Sequence, residues 1–240
     1  MRLWNGWGNE DSDLTMELSD GLRALLEALV GSGTALSQAT LNEVIAKVPN
    51  TRLDDHPLIK TDPETRVRHA RGQSLPDWLE MHSGNVDTFP DGVAFPESSE
   101  QVRELLAHAK ENNLIVIPYG GGTSVVGHIN PETSDKPVLT IDMAKMNSML
   151  SIDTESQLAT FGAGAPGPVV EEELKKYGYT LGHFPQSWEL STLGGWVASR
   201  SSGQQSLHYG RIENMFAGGT IETLNGTMTI PTIPASSAGP

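Results

Sequence analysis

The sequence predicts an α+β protein: a helical N-terminal stretch, one βαβ unit, then strands and helices that no longer alternate. Three observations carry this. Leu18, Leu22, Leu25, Leu26 and Leu29 recur at helical spacing near the N-terminus. Residues 92–118 read as strand, helix, strand. Beyond residue 138, strand-like runs follow one another without crossover helices between them, as in α+β chains.

Two helices are expected over residues 14–48. "GSG" at 31–33 stops the first. Thr40 and Glu43 make a capping box for the second, which carries Leu41, Val44, Ile45 and Val48. Residues 49–90 hold Pro49, Pro57, Pro63, Pro76 and Pro90 and read as an irregular linker. "GVAFP" (92–96) is a short strand. "SSEQVRELLAHAKENN" (98–113) is an amphipathic helix with Val102, Leu105, Leu106 and Ala109 on one face and Ser98/Gln101 as a capping pair. "LIVIP" (114–118) is a continuous apolar run, expected to be buried on both sides and parallel to the first strand.

Downstream, "VLTIDM" (138–143) and "LATFGAG" (158–164) read as strands. "PVVEEELKKYG" (168–178) reads as a helix starting near Pro168 and stopping at a left-handed Gly178. "STLGGWVASRSSG" (191–203) is a short helix with glycines in its first turns. "GGTIETLNGTMTI" (218–230) is a hairpin turning at Asn225-Gly226. The final "TIPTIPASSAGP" is turn-rich and reads as a cut rather than a natural terminus. The expected organisation is a helical extension and linker over 1–90 and a ligand-binding domain over 91–240. That domain divides into a first subdomain at about 91–145 and a second, incomplete one at about 146–240.

The chain has 240 residues and a net charge of −14. A surface that tracks nucleic-acid phosphates normally has the opposite sign, so nucleic acid is not the expected partner. The absence of cysteine excludes disulfides, thiolate-held metal and a thiol nucleophile, and favours a cytoplasmic address. No apolar run approaches the roughly 20 residues a membrane span needs. "MRLWNGWGNEDSD" is not a signal peptide. The seven histidines show no metal-ligand spacing, so no metal is expected.

Chemistry concentrates in "IPYGGGTSVVGHINP" (117–131), a glycine run directly behind an apolar strand. It fits neither the G-x-G-x-x-G fingerprint nor a P-loop, since no Gly-Lys-Ser/Thr follows. From these residues alone it is either a surface turn or a nest of N–H groups for phosphate. Its place beyond the carboxyl end of a strand favours phosphate. "HFPQSWELSTLGGWVASRSSG" (183–203) again pairs hydroxyls with glycines, at Gly194 and Gly195; close helix packing is the competing explanation there. His128 and His183 border these segments and are site candidates, with a structural role favoured for both. Ser187, Ser191 and Ser201 lie outside any G-x-S-x-G elbow, against a hydrolase. Trp4 and Trp7 either anchor a partner or pack back on the domain.

In order along the chain, "VAFPESSEQVRELL", "VIPYGGGTSVVG" and "FGAGAPGPVVEEELKKYGYTLGHFPQSWELSTLGGWVASRSSGQQSLHYGRIENM" resemble the flavin-binding domain of the FAD-linked oxidase superfamily. That group includes vanillyl-alcohol oxidase, p-cresol methylhydroxylase, and D-lactate and glycolate dehydrogenases. "RLWNGWG", "RHARGQSLPDW" and "STLGGWVASRSSGQQSLHYGRIE" resemble its alkyldihydroxyacetonephosphate synthase branch in particular.

The resemblance implies the two-subdomain FAD-binding fold of the p-cresol methylhydroxylase type. It implies a pyrophosphate on Gly120, Gly121, Gly122, Thr123 and Ser124, bounded by Pro118, Tyr119, Gly127 and His128. A second wall would comprise Pro185, Ser187, Ser191, Thr192, Gly194, Gly195, Ala198, Ser201, Ser202, Gly203, Tyr209, Gly210 and Ile212. Some relatives tether flavin through a His at the position of Thr123, so FAD is expected to be non-covalent here. The family continues with a "GSEGTLG"-like segment and a substrate-binding cap, neither present in these residues. The synthase's catalytic tyrosine, histidines and arginine lie there, so no catalytic residue transfers, and the 240 residues alone are expected to bind FAD weakly if at all and to be inactive.

The implied activity is flavin-dependent exchange of acyl for alkyl on dihydroxyacetone phosphate. The alternatives are a 2-hydroxy-acid dehydrogenase and, in another class, a non-catalytic nucleotide-binding module. The implied partner is a small-molecule substrate, and a lipid-like one, a homodimer and peripheral membrane association are all compatible with the resemblance.

Overall fold

The computed structural model describes residues 2–11 and 18–232; the expected helix start at 14–17 and residues 233–240 lie outside them. Helix α1 (Asp20–Val30) opens at Ser19, whose hydroxyl accepts from the Leu22 N–H, and closes at Gly31 with φ 86°. The stop falls where "GSG" predicts it. None of the helix is buried, and Leu25, Leu29 and Val30 are each more than half exposed. Helix α2 (Leu41–Ile45) has its capping box: the Glu43 N–H donates to Thr40 Oγ1 (3.3 Å) and the Thr40 N–H to Glu43 Oε2 (2.7 Å). Val44 is buried among Val67, Ala70, Met81, Val86 and Phe89, with Trp4 packed against them. Trp4 therefore packs back onto the protein.

Residues 49–90 are more regular than the sequence reading expects. They form strand β1 (Ile59–Lys60), helix α3 (Pro63–Arg68) and helix α4 (Leu75–Ser83). Pro63 and Pro76, which read as breakers, stand in the first turn of each helix. A missing N–H costs nothing there, because that donor has no intrahelical acceptor anyway. Asp62 and Ser74 cap the two helices.

The βαβ unit is β2 (Gly92–Ala94), α5 (Ser99–Glu111) and β3 (Ile115–Tyr119). Strand β4 (Val138–Asp142) inserts between its strands, giving the order β1-β2-β4-β3. Both β2 and β3 run parallel to β4, so the expected parallelism holds with a third strand between them. Burial is redistributed. The run 114–118 lies at the sheet edge with Pro118 exposed, a place where a strand tolerates a residue without an N–H. Every residue of β4 is buried instead. Ser98 caps α5 from Gln101, while Gln101 Oε1 reaches the Glu97 N–H (2.7 Å).

The second half comprises the antiparallel pair β5 (Met149–Asp153) and β6 (Leu158–Phe161), then helices α6 (Gly167–Lys175), α7 (Leu193–Ser199), α8 (Ser206–Tyr209) and α9 (Ile212–Met215). Strand β5 has no alternating signature because its register shifts between Met149 and Ser151, a bulge that breaks the period of two. Gly178 is left-handed, as expected (φ 79°). The final hairpin pairs β7 (Gly219–Thr223) with β8 (Gly226–Ile230). Thr223 pairs with Gly226, so the turn is Leu224-Asn225, one residue earlier than expected, and Gly226 takes φ 117°. Arg103 on α5 bonds Glu222 on β7 (2.7 Å) and holds the hairpin to the helix.

Two consequences are measurable. Thr140 in β4 is fully buried and its Oγ1 has no hydrogen-bond partner among the described residues. An unmade buried bond costs about 1–3 kcal/mol. Thr140→Val, which keeps the shape, is expected to raise stability by ~1 kcal/mol in urea unfolding; a loss of that size would show that the hydroxyl is partnered.

Asp91 accepts from Arg52 Nε (2.8 Å), the Arg52 N–H (3.1 Å) and the Val138 N–H (2.8 Å). Burial raises its pKa, but the bonds from Arg52 and Val138 outweigh burial and leave it lowered. The unfolded chain then takes up the proton first. The stability Asp91 supplies is present above about pH 4 and lost as pH falls through the lowered folded pKa. Asp91→Asn is expected to flatten the acid side of the stability–pH profile, and an unchanged acid slope would remove Asp91 as its source.

Candidate functional site

The glycine loop leaves β3 at Pro118 and Tyr119, at the carboxyl end of the sheet. Each of its first three glycines meets a different neighbour. A Cβ on Gly120 would lie 2.3 Å from Thr192 Oγ1, and one on Gly121 would lie 1.8 Å from the Leu190 carbonyl oxygen. Gly122 has φ 66°, and a Cβ there would lie 2.1 Å from the Tyr119 hydroxyl. The two glycine-rich segments singled out in the sequence are thus in backbone contact. Real Cβ atoms do not tolerate such approaches, so the triplet is demanded by packing whatever else it does.

Packing leaves the donors unspent. Among the described residues, no protein acceptor takes the N–H of Gly121, Gly122, Thr123 or Ser124. Ser124 Oγ lies 3.2 Å from His128 Nδ1, and Gly127 turns the chain at φ 74°. His128 is exposed. A run of free amide donors beyond a strand end is the chemistry that holds an anionic oxygen without using a side-chain charge.

Of the second wall, Pro185 to Thr192 forms a tight turn. Trp188 N–H donates to Pro185 O (3.0 Å) and Ser191 N–H to Ser187 O (2.8 Å). The Ser191 hydroxyl is spent, donating to Ser187 O (2.8 Å) and accepting from Trp196 Nε1 (2.6 Å). Thr192 is the N-cap residue of α7, on which Gly194, Gly195 and Ala198 lie. The α7 N-terminus is already occupied: the Leu193 and Gly194 N–H groups donate to Ala165 O (2.9 Å) and Ala163 O (2.8 Å). A Cβ on Gly194 would lie 2.7 Å from that of Ala163, so close packing accounts for this glycine. Gly195 meets only Thr192 Oγ1, at 3.3 Å.

Ser201, Ser202 and Gly203 follow α7; Tyr209 and Gly210 end α8; Ile212 opens α9. Gly203 packs on Phe184, the Tyr209 ring lies over Gly182, and Ile212 N–H donates to Ser201 O (3.3 Å). These residues knit to the 182–185 segment. Among the described residues, no hydrogen bond joins 201–212 to the glycine loop, and Ala198 and Ser202 are exposed.

His183 is buried, with Nε2 3.2 Å from Ser201 Oγ and its ring 5.0 Å from Trp196. Burial pushes its pKa down, so the ring is neutral. His183 Nδ1 and Trp188 Nε1 are buried without a partner among the described residues. Unpaired buried nitrogens are uncommon and mark places where a ligand or water completes the bonding. The free amides of the loop fit an anionic group of a cofactor, whereas Trp188 Nε1 lies against Gly167 at the opening of α6, 2.4 Å from where a Cβ there would stand.

Several supporting residues were invisible in the sequence. His69 donates from Nδ1 to Thr65 O (2.7 Å) and has Nε2 3.0 Å from Asp142 Oδ2, its ring tilted 4.7 Å from that of Tyr119, whose pKa is pushed up to about 12 chiefly by burial. Gly72, Gln73, Asp77 and Asn130 bond one another or the glycine loop. The motif "RHARGQSLPDW" contains His69, Gly72, Gln73 and Asp77, but nothing in it signalled long-range contact.

The protein-family comparison matches a model described as an FAD binding domain over residues 90–230. The chain is 40% identical over 181 residues to alkyldihydroxyacetonephosphate synthase of Dictyostelium discoideum, covering 75% of this chain and 30% of that protein. It is 39% identical over 175 residues to the Trypanosoma brucei brucei synthase, covering 72% and 28%. A solved alkyldihydroxyacetonephosphate synthase superposes with a TM-score of 0.82 at 30% identity, covering 99% of this chain and 50% of that one. The chain thus spans under a third of these curated relatives. Matched over more than half its length, the chain belongs to the family of FAD-binding domains found in the FAD-linked oxidases, and FAD is its cofactor.

Proposed function

We propose that the protein is the FAD-holding part of an alkyldihydroxyacetonephosphate synthase-like enzyme, with the pyrophosphate on the amides of residues 121–124. The single observation behind this is the row of free N–H groups beyond β3, braced by the segment at 190–192. FAD would supply the redox-active ring on which the exchange depends, and the protein supplies placement and electrostatics. The roles of this chain's residues then follow. Gly121, Gly122, Thr123 and Ser124 donate to phosphate; the closely packed Leu190–Thr192 keeps water from the far side of the loop; His183, held neutral, offers a ring nitrogen to the cofactor.

The division at residue 90, the second wall, a lipid-like small-molecule substrate and a homodimer belong to the same proposal. So do a cytoplasmic address, supported by the absence of cysteine, and peripheral membrane contact. Among the described residues no helix is long and apolar enough to cross a membrane.

Titrating FAD into the protein and following flavin fluorescence is expected to show weak but saturable binding, because the described residues already offer the loop donors, and its absence would overturn the proposal. Among the described residues Thr123 Oγ1 has no hydrogen-bond partner, and a hydrogen bond to a charged group contributes about 1.5–3 kcal/mol. Thr123→Val is therefore expected to weaken FAD by ~10-fold or more while leaving urea unfolding unchanged. Equal affinity would take the hydroxyl off the phosphate. Because Thr123 is not a histidine, acid precipitation is expected to release all bound flavin to the supernatant.

A further inference from the structure

Free amides bind an anion only when they point the same way, and a flexible glycine run does not hold them so by itself. In a planar trans peptide the C=O of one residue and the N–H of the next point in opposite directions. Whatever fixes the carbonyls of the loop therefore aims its donors. Two carbonyls of this loop are engaged from outside it. The Gly121 carbonyl accepts from the Arg2 guanidinium, and the Ser124 carbonyl accepts from the Gln73 N–H at 2.6 Å. These bonds turn the Gly122 and Val125 N–H groups away from Arg2 and from Gln73. Neither amide has a protein acceptor among the described residues.

Both latches are themselves built in. Residues 2–9 close on themselves through the Leu3 N–H to Gly8 O bond (3.0 Å) and the Arg2–Asn9 bridge. Arg68 Nη1 donates to Arg2 O (2.9 Å), and Trp4 is packed against the core around Val44. At the other latch, a Cβ on Gly72 would lie 2.5 Å from Ser124 O, so only glycine lets that carbonyl approach. The Gly72 N–H donates to Asn130 Oδ1 (3.0 Å), and Asn130 Nδ2 donates to Asp77 Oδ1 (2.6 Å). Asp77 is buried and also accepts from Ser74 Oγ (2.6 Å) at the start of α4. The far end of the loop is thereby tied to a helix N-terminus.

We infer that Arg2, with the Gly72–Asp77 bracket, is a positioning residue for the phosphate-bearing part of the cofactor, aiming the Gly122 amide through the Gly121 carbonyl while the bracket fixes the far end of the loop at the Ser124 carbonyl. This rests on the proposed FAD site. The N-terminal arm then acts on the cofactor without touching it.

The test compares FAD and riboflavin, which lacks the pyrophosphate, on the wild-type chain and on Arg2→Ala, with urea unfolding of each apoprotein as control. Arg2→Ala is expected to weaken FAD by ~10-fold, about 1.4 kcal/mol, and to leave riboflavin unchanged. The loss is expected to persist at high salt, where a direct charge on phosphate would be screened. Equal weakening of FAD and riboflavin, unchanged FAD affinity, or a loss that vanishes at high salt would each overturn the inference. Arg2→Lys keeps a donor within reach of the same carbonyl and is expected to retain FAD within about threefold of wild type. A Lys variant with wild-type unfolding but the affinity of the Ala variant would also overturn it. Wild-type protein that binds no FAD would overturn the FAD site and the inference together; wild type that binds, with variants that bind alike, would overturn the inference only.

Discussion

Much of this structure depends on one backbone contact, that of Gly121 with the Leu190 carbonyl. It joins the end of β3 to the turn before α7, two segments far apart in the chain. It is possible only because the loop has no side chains at 120 and 121 and because Gly122 can take positive φ over Tyr119. Three glycines are needed because three different neighbours approach. The same contact sets the polarity of the loop. One side is closed by protein, and the donors have to find their acceptor elsewhere.

Charge is the second constraint. The chain carries −14 overall, yet its cofactor is itself an anion. Three arginines of α3 and the segment after it make structural bonds. Arg71 bonds Glu80, Asp87 and Thr88, Arg66 bonds the Pro90 and Pro49 carbonyls, and Arg68 bonds Glu64 and Glu10. With those cations committed, binding through oriented amide dipoles carries no further charge to be buried or balanced. It also explains why the loop needs support from outside: dipoles work only when held in direction, whereas a lysine side chain finds an anion by itself.

What the sequence made legible were features in which local chemistry decides. The capping box at Thr40, the N-cap at Ser98, the glycine stops at 31 and 178, and the βαβ periodicity were all readable because each involves residues a few positions apart. The glycine loop was legible for the same reason, along with its place at a strand end. Features set by distant partners were not. The edge position of β3 depends on β4 inserting beside it, which no property of 114–118 encodes. Prolines 63 and 76 read as breakers because their role depends on the helices behind them, and those helices are short. Arg2, Gln73 and Asn130 gave no signal, since an arginine near the N-terminus looks like any other until the fold brings it to Gly121.

This division bears on how far likeness reaches. A site made of main-chain amides recognises the shape and charge of a pyrophosphate, and it does so with glycines and hydroxyls that say nothing about the substrate. Substrate choice comes from side chains placed around the reacting atoms, and the resemblance carries no catalytic residue over to this chain. Similarity confined to the FAD-binding part therefore speaks with more force for the cofactor than for the reaction. The same reasoning makes the synthase-like features outside the loop the more telling ones. "RLWNGWG" and "RHARGQSLPDW" contain Arg2, Gly72, Gln73 and Asp77, the residues from which the bracing of the loop carbonyls is inferred, so they bear on how the loop is held and not only on the fold.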